Sequence, residues 1–263
     1  MTTMVKDMVI PEVIADGIEQ KLGKLIKFTP LAEMDYTLAA QEGMTVVFPT
    51  WNYIGDAIDV AEGEKIEPEK ITAGSEKFTV KKAVKDIAMT DESVLATNGA
   101  VVGETEKQLA VAIANKIDED SVKVLRGANA GGNLEFTQKG LAKLRVAFGE
   151  DLEEAFLFVS PANYGEILGM KEFVAVQLGE AFMAGHVGHV MGLNIVVSGR
   201  LSDTEALLVK RGALGISLKR AVNVETERKM EIRSQVIGAD VHYVAYLKDK
   251  SRAFTLKVGN TPS

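Results

Sequence analysis

Two of the chain's three histidines form a His-x-x-His pair, His186 and His189, inside Gly185-His186-Val187-Gly188-His189. Imidazoles at that spacing share a metal ion when a third ligand arrives from elsewhere. The flanking glycines leave this geometry loose, so a surface or interface loop is the expectation. His242 lies in an apolar stretch and reads as a structural residue. Asp118, Glu119 and Asp120 are consecutive in a helical pattern. Adjacent helical positions point in different directions and do not converge on one ion, so a solvated or salt-bridged face is expected. Asp151, Glu153 and Glu154 precede a strand candidate and read as a charged loop. Trp51, the single tryptophan, reads as a packing anchor.

The motifs of catalysis are missing. No Gly-x-x-x-x-Gly-Lys-Ser/Thr phosphate loop and no Gly-x-Gly-x-x-Gly occurs. Val197-Ser198-Gly199 lacks the leading glycine of a nucleophile elbow, and Gly215-Ile216-Ser217 lacks the trailing one. The chain has no cysteine, which excludes disulfides, thiolate nucleophiles and zinc–thiolate sites. A net charge of -7 weighs against broad nucleic-acid affinity, which rests on Lys and Arg facing phosphates. The sequence therefore predicts no catalytic residue, no cofactor and no metal site.

The elements that remain protrude. At 263 residues, 46 % of them hydrophobic and only 6 % aromatic, the chain can bury an aliphatic core in one large domain or two small ones. Met1 to Ile10 holds Lys6 and Asp7 and is no signal peptide. Residues 1–42 read as an arm. It contains an amphipathic helix from Val13 to Leu25, with Ile14, Ile18, Leu22 and Leu25 at helical spacing. Such an arm lies on another surface, its own body or a neighbour. Residues 43–89 read as a long two-stranded excursion. Thr45 to Pro49, Trp51 to Val60 and Ser75 to Val84 are its extended parts, and Glu62 to Lys70 is its charged tip.

Thr90 caps a short helix. The helix from Val101 to Arg126 is the strongest pattern in the chain, a rod of roughly 39 Å at ~1.5 Å per residue. Further helices start at Thr137, at Ser160-Pro161 and at Phe173, the last reaching Met183. The uncharged stretch from Ala181 to Gly199 is long enough for a membrane span. Its glycines, its two histidines and Asn194 instead indicate a helix end, a Gly-rich loop at residues 185–192 and a buried strand. Strand candidates then dominate: Leu193 to Val197, Ala206 to Lys210, Leu214 to Lys219, Val222 to Glu227, Lys229 to Ala239, His242 to Leu247 and Ala253 to Val258. Segregation of helices from strands indicates an α+β fold.

This order of parts resembles the major capsid proteins of tailed double-stranded DNA bacteriophages, a fold shared with encapsulin nanocompartments and the herpesvirus capsid floor. The resemblance covers nearly the whole chain. Phe156-Leu157-Phe158-Val159-Ser160-Pro161-Ala162-Asn163-Tyr164 is similar to the family's strand-then-helix entry to the axial domain. Gly192 to Ser198 resembles the strand after the central helices, and Tyr243 to Phe254 resembles the closing strands. The resemblance implies an N-terminal arm (1–42), an extended loop (43–89), a peripheral domain with a long spine helix (90–155 and 225–263) and an axial domain (156–224).

It further implies an icosahedral shell of hexamers and pentamers around the double-stranded DNA of a virion, assembled in the host cytoplasm. The implied partners are the chain itself, a separate scaffolding protein and a portal. The enclosed DNA would be contacted without sequence specificity, and no membrane is involved. No long charged scaffolding helix precedes the arm, which implies either a separate scaffolding protein or assembly without one. Lys65, Lys70 and Lys77 lie where some members cross-link, but no partner Asn with a nearby acid is assignable and no cross-link is predicted. Val46, Phe48, Trp51 and Ile54 are the expected apolar footing of the extended loop. Glu62, Glu64, Lys65, Glu67 and Lys70 are its expected ionic contacts with a neighbour. Two other readings stay open at this point: an encapsulin-type protein compartment, and a soluble enzyme with an unrecognised site.

Overall fold

The structure is a computed structural model. It describes residues 11–28, 31–35, 44–51, 59, 65, 70–71, 73–97, 100–149, 153–171, 173–175 and 186–259. Helix α1 (Pro11–Leu25) leads into strand β1 (Ala32–Asp35), followed by β2 (Thr45–Trp51), β3 (Ala73–Thr79) and β4 (Lys81–Thr90). Helices α2 (Asp91–Ala96) and α3 (Ala100–Leu125) come next, then β5 (Asn129–Leu134), α4 (Gln138–Val146), β6 (Ala155–Val159) and α5 (Pro161–Leu168). The remainder is β7 (Phe173–Ala175), β8 (His186–Val190), β9 (Leu193–Val197), β10 (Glu205–Lys210), β11 (Leu214–Lys229), β12 (Ser234–Leu247) and β13 (Ala253–Val258).

Local chemistry sets several of these boundaries. Thr90 accepts from the Ser93 amide at the start of α2, Thr137 from Gly140 at α4, and Ser160 from Asn163 at α5. Each hydroxyl satisfies a backbone donor that has no partner inside its helix. Pro161 occupies the first turn of α5, where its missing N–H costs nothing. Between β8 and β9 the chain turns through Met191 (φ 48°) and Gly192 (φ 78°). Two left-handed residues in succession are the hairpin turn that matches strand twist.

Three sheets form. A seven-stranded sheet runs β5-β13-β10-β6-β9-β8-β7, a four-stranded sheet runs β1-β11-β12-β4, and β2 pairs with β3 alone. β6 and β9 are parallel, joined through α5, while β10 flanks β6 antiparallel. Every residue of β6 is buried. Phe156 and Phe158 enter one apolar cluster, and Ala155, Leu157 and Val159 enter another on the opposite face. A strand covered on both faces reads as a continuous apolar run, which is the composition seen. The first cluster also holds Ile14, Ile18 and Leu22 of α1, Leu109, Ile113 and Ile117 of α3, and Ile216, Ile237 and Val241 of the four-stranded sheet. The second lies under α4 and α5.

Several expectations need correction. The spine helix is one residue earlier than the sequence pattern placed it. Phe173–Ala175 forms a strand against β8 and not the start of a helix; residues 176–185 lie outside the described residues. Most of the expected glycine-rich loop at 185–192 is β8 with its turn into β9. The stretch Arg228 to Val236, which alternates as one strand, straddles the hairpin turn between β11 and β12, where Arg233 takes a left-handed φ of 46°. Leu214 to Glu227 is one strand with two register shifts, not two strands. Ser75 to Val84 is not one strand: it divides at Val80, where β3 pairs with β2 and β4 with β12 of the four-stranded sheet. β1 and β5 had no counterpart in the sequence reading.

Candidate functional site

The paired strands β2 and β3 hold to the rest of the molecule at one end. Val80 is buried beside Val244 and Tyr246, with Phe78 packed against them. The Phe78 and Tyr246 ring centroids are 5.3 Å apart. The ring of Tyr246 lies where a side chain on Gly215, its cross-strand partner, would have to be. A glycine here lets the aromatic ring lie on the sheet. Lys250 adds an ion pair to Glu76 at 3.0 Å. Met44, whose carbonyl accepts the Val80 N–H at this root, is exposed, as are Val47 and Ile71 farther out.

The expected contact residues fall unevenly on this ribbon. Val46, Phe48 and Trp51 are in β2, opposite Phe78, Glu76 and Ala73. Lys65 and Lys70 are exposed. Ile54, Glu62, Glu64 and Glu67 lie outside the described residues.

The arm's helix is anchored on its own body. Ile14, Ile18 and Leu22 are buried against α3 and β11, and Lys21 meets Glu106 at 2.6 Å. Phe28, just past α1, stacks on Phe158 with centroids 4.5 Å apart. Of the two surfaces open to an arm, α1 uses its own domain.

The acidic triplet on α3 diverges as expected, but two of its three members are buried. Asp118 and Asp120 are 3 % and 2 % exposed. Asp118 accepts the backbone N–H of Lys27 at 3.0 Å. Burial pushes its carboxyl up to about 6, against the pull of the Lys27 amide and the Arg200 and Lys27 charges. Lys27 is in turn held below its ordinary value by burial, and it donates to the Val197 carbonyl at 2.8 Å. Asp120 accepts from Tyr243 Oη at 3.0 Å, Lys116 at 3.1 Å and Lys81 at 3.3 Å. Burial pushes Asp120 up as well, but these donors outweigh it and hold the carboxyl below its usual range. Glu119 faces outward to Lys116 and Lys123. These side chains fasten α3 to the segment after α1 and to the sheet.

A register shift in β8 sets His186 opposite Val196 and His189 opposite Asn194. Among the described residues no group of three or more His, Cys, Asp or Glu is placed to hold a metal ion. His242 sits beside Asp240, which pairs with Arg220 and with Asn223 at 3.3 Å. Burial and the Arg220 charge lower the His242 imidazole pKa. Among the described residues no helix is long and apolar enough to cross a membrane.

Exposed large apolar side chains gather at places the sequence reading had not singled out. Leu95 on α2 and Met230 and Ile232 in the β11–β12 turn are all exposed. The two segments are tied together by Arg228 gripping Asp91 at 2.5 and 2.6 Å and by the Asp91 amide donating to the Arg233 carbonyl. Val146 on α4 is also exposed. The signal available in the sequence was an apolar residue off the buried stripe of an amphipathic pattern.

A family profile described as phage capsid protein matches residues 74–255. The chain is also 36 % identical over 264 residues to the major capsid protein of Staphylococcus phage phiMR11, covering 98 % of this chain and 96 % of that protein. The chain belongs to the phage capsid protein family. Its structure superposes on the capsid of cyanophage P-SCSP1u with a TM-score of 0.67 at 13 % identity, covering 99 % of this chain and 93 % of that one. A virus-like particle from Pyrococcus furiosus gives 0.65 at 11 % identity, covering 93 % and 98 %. At such identities the structures bear on the fold alone, which is the α+β capsid fold. A fold shared by a capsid and a virus-like particle does not separate one kind of shell from another; the full-length sequence relation does. The role is structural, in a phage capsid built of many copies, and the protein's place is the virion.

Proposed function

We propose that copies of this chain close into an icosahedral shell around the double-stranded DNA genome of a tailed bacteriophage, arranged as hexamers and pentamers. The observation that carries the reading is the ribbon β2–β3. Among the described residues it pairs with no other strand, and it is held to the body chiefly at its root. A two-stranded ribbon is marginal in water by itself and persists when it packs on something else. A neighbouring copy supplies that surface. Val46, Phe48, Trp51 and Ile54 form its apolar footing, and Glu62, Glu64, Lys65, Glu67 and Lys70 make ionic contacts with the neighbour. Exposed pairs contribute ~0.2–1 kcal/mol each, so the tip sets fit more than strength.

In this reading residues 1–42 are the arm. The extended loop begins at residue 43 and ends near Val80, where the chain enters the sheet, shorter than the sequence pattern indicated. The body around α3 and the four-stranded sheet is the peripheral domain, and residues 156–224 contain the axial domain. The chain carries no catalytic residue. A separate scaffolding protein and a portal assist assembly in the host cytoplasm, and the enclosed DNA is contacted without sequence specificity. Deleting residues 60–72 tests the assignment. The expected product is a folded, soluble subunit that forms few particles by negative-stain microscopy. Normal particles from this deletion overturn the reading.

A further inference from the structure

Helix α4 buries Leu141 and Leu144 beneath it and leaves its outer side bare. Lys139, Ala142, Lys143, Val146 and Ala147 line an open groove there of about 570 Å³. Val146, in its wall, is 70 % exposed. The sequence of α4, Gln138 to Val146, contains no acid. Lys139 and Lys143 are one helical turn apart, and neither has an ion pair or hydrogen bond among the described residues. An apolar floor beside two ammonium groups that no described carboxylate neutralises suits an acidic segment that carries an aliphatic side chain.

The chain contains such a segment. Glu62-Gly63-Glu64-Lys65-Ile66-Glu67-Pro68-Glu69-Lys70-Ile71 has four Glu against two Lys, with Ile66 in the middle. Lys65, Lys70 and Ile71 are exposed. In sequence it lies between the end of β2 at Trp51 and the start of β3 at Ala73, and the other end of that ribbon is rooted on the four-stranded sheet at Val244 and Tyr246. The groove lies over the second apolar cluster, on the seven-stranded sheet. Each copy thus offers one acidic tip and one basic groove at separate places. A head-to-tail contact of that kind closes into rings when the rotation between copies allows.

We propose that residues 62–71 of one copy dock in the α4 groove of a second copy, Ile66 against Ala142 and Val146, and the glutamates against Lys139 and Lys143. This rests on the reading of the ribbon as an inter-subunit clasp and names the surface it clasps.

Two measurements test it. The chain has no cysteine, so Ile66→Cys combined with Val146→Cys reports proximity directly. Mild oxidation of assembled particles is expected to give a ladder of covalent oligomers on a non-reducing gel, and each single variant none. In parallel, Lys139→Glu with Lys143→Glu raises the protein concentration needed for assembly about tenfold. Adding Glu64→Lys and Glu67→Lys to the same chain restores assembly. Circular dichroism of the subunits checks that each variant is folded. If charge reversal leaves assembly unchanged and no ladder forms, while deletion of residues 60–72 still blocks particles, the tip docks elsewhere. The groove assignment then fails and the ribbon reading stands. If the deletion also assembles normally, both fail. If charge reversal spares the shell but abolishes capture of a separate acidic protein, the groove belongs to that partner, and the docking of the tip is overturned.

Discussion

Replacing Asp118 by asparagine should make the subunit more stable at neutral pH, although the aspartate sits beside two cations. The carboxyl is buried on α3 and is raised from an ordinary value of 3.8 to about 6. A raised acid binds its proton more tightly in the folded chain than in the unfolded one. Folding stability from this group is therefore fully present below pH ~4 and is lost as pH climbs through ~6. About two pKa steps at ~1.36 kcal/mol each give a loss of about 3 kcal/mol, complete above that window. The asparagine amide oxygen can still accept the Lys27 N–H, and it does not ionise. Attraction from Lys27 and Arg200 is already included in the balance, because both charges act on the carboxyl and burial still outweighs them.

The assay is urea unfolding of unassembled subunit, wild type and Asp118→Asn side by side, from about pH 4 to about pH 7.5. Subtracting one stability profile from the other cancels every other titrating group. The expected difference is near zero at the acid end. It grows to about 3 kcal/mol in favour of the variant by neutrality, with unchanged m-values. A flat difference, or a variant less stable at neutral pH, would refute the reasoning. Such a result would mean that Lys27 and Arg200 stabilise the ionised carboxylate more than burial penalises it.

Two residues along the same helix the sign reverses. Tyr243→Phe removes one donor from Asp120 and leaves a buried carboxylate with its lysines only; the expected cost at neutral pH is about 1.5–3 kcal/mol. Because the Asp120 carboxyl is held low, its contribution is present above the unfolded carboxylate value and fades as pH falls through the lower folded value. The gap between wild type and Tyr243→Phe should therefore narrow in acid, read from urea midpoints. At the ribbon root, Gly215→Ala would drive the Tyr246 ring off the sheet and with it the Phe78 contact. A cost of about 1–3 kcal/mol is expected, with faster proteolytic cleavage between residues 44 and 79 and weaker assembly. Unchanged cleavage there would separate the ring contact from the ribbon's anchorage.

How much of this was legible in the sequence depended on whether the deciding partner was near in sequence. The spine helix, the caps at Thr90, Thr137 and Ser160, and the all-apolar β6 depend on neighbours within a few residues, and pattern reading found them. β5 is Asn129 to Leu134, with two glycines and little alternation. It is a strand because β13 lies beside it, and Gly131 fits beneath Phe254 and Leu256 only without a side chain. The turn at Met230 to Arg233 contains no glycine, proline or asparagine, so the alternation of Arg228 to Val236 runs through it unmarked. Asp118 and Asp120 read as a charged face in sequence because charge normally seeks water. Their partners Lys27 and Tyr243 stand 91 and 123 positions away. The contact surfaces obey the same rule at the next level. The α4 groove, whose lysines meet no described carboxylate, and the acidic segment at 62–70 are marked by local pattern only as an amphipathic stripe and a charged loop. The partner we propose for both is a second copy, which a single sequence contains as composition and never as spacing.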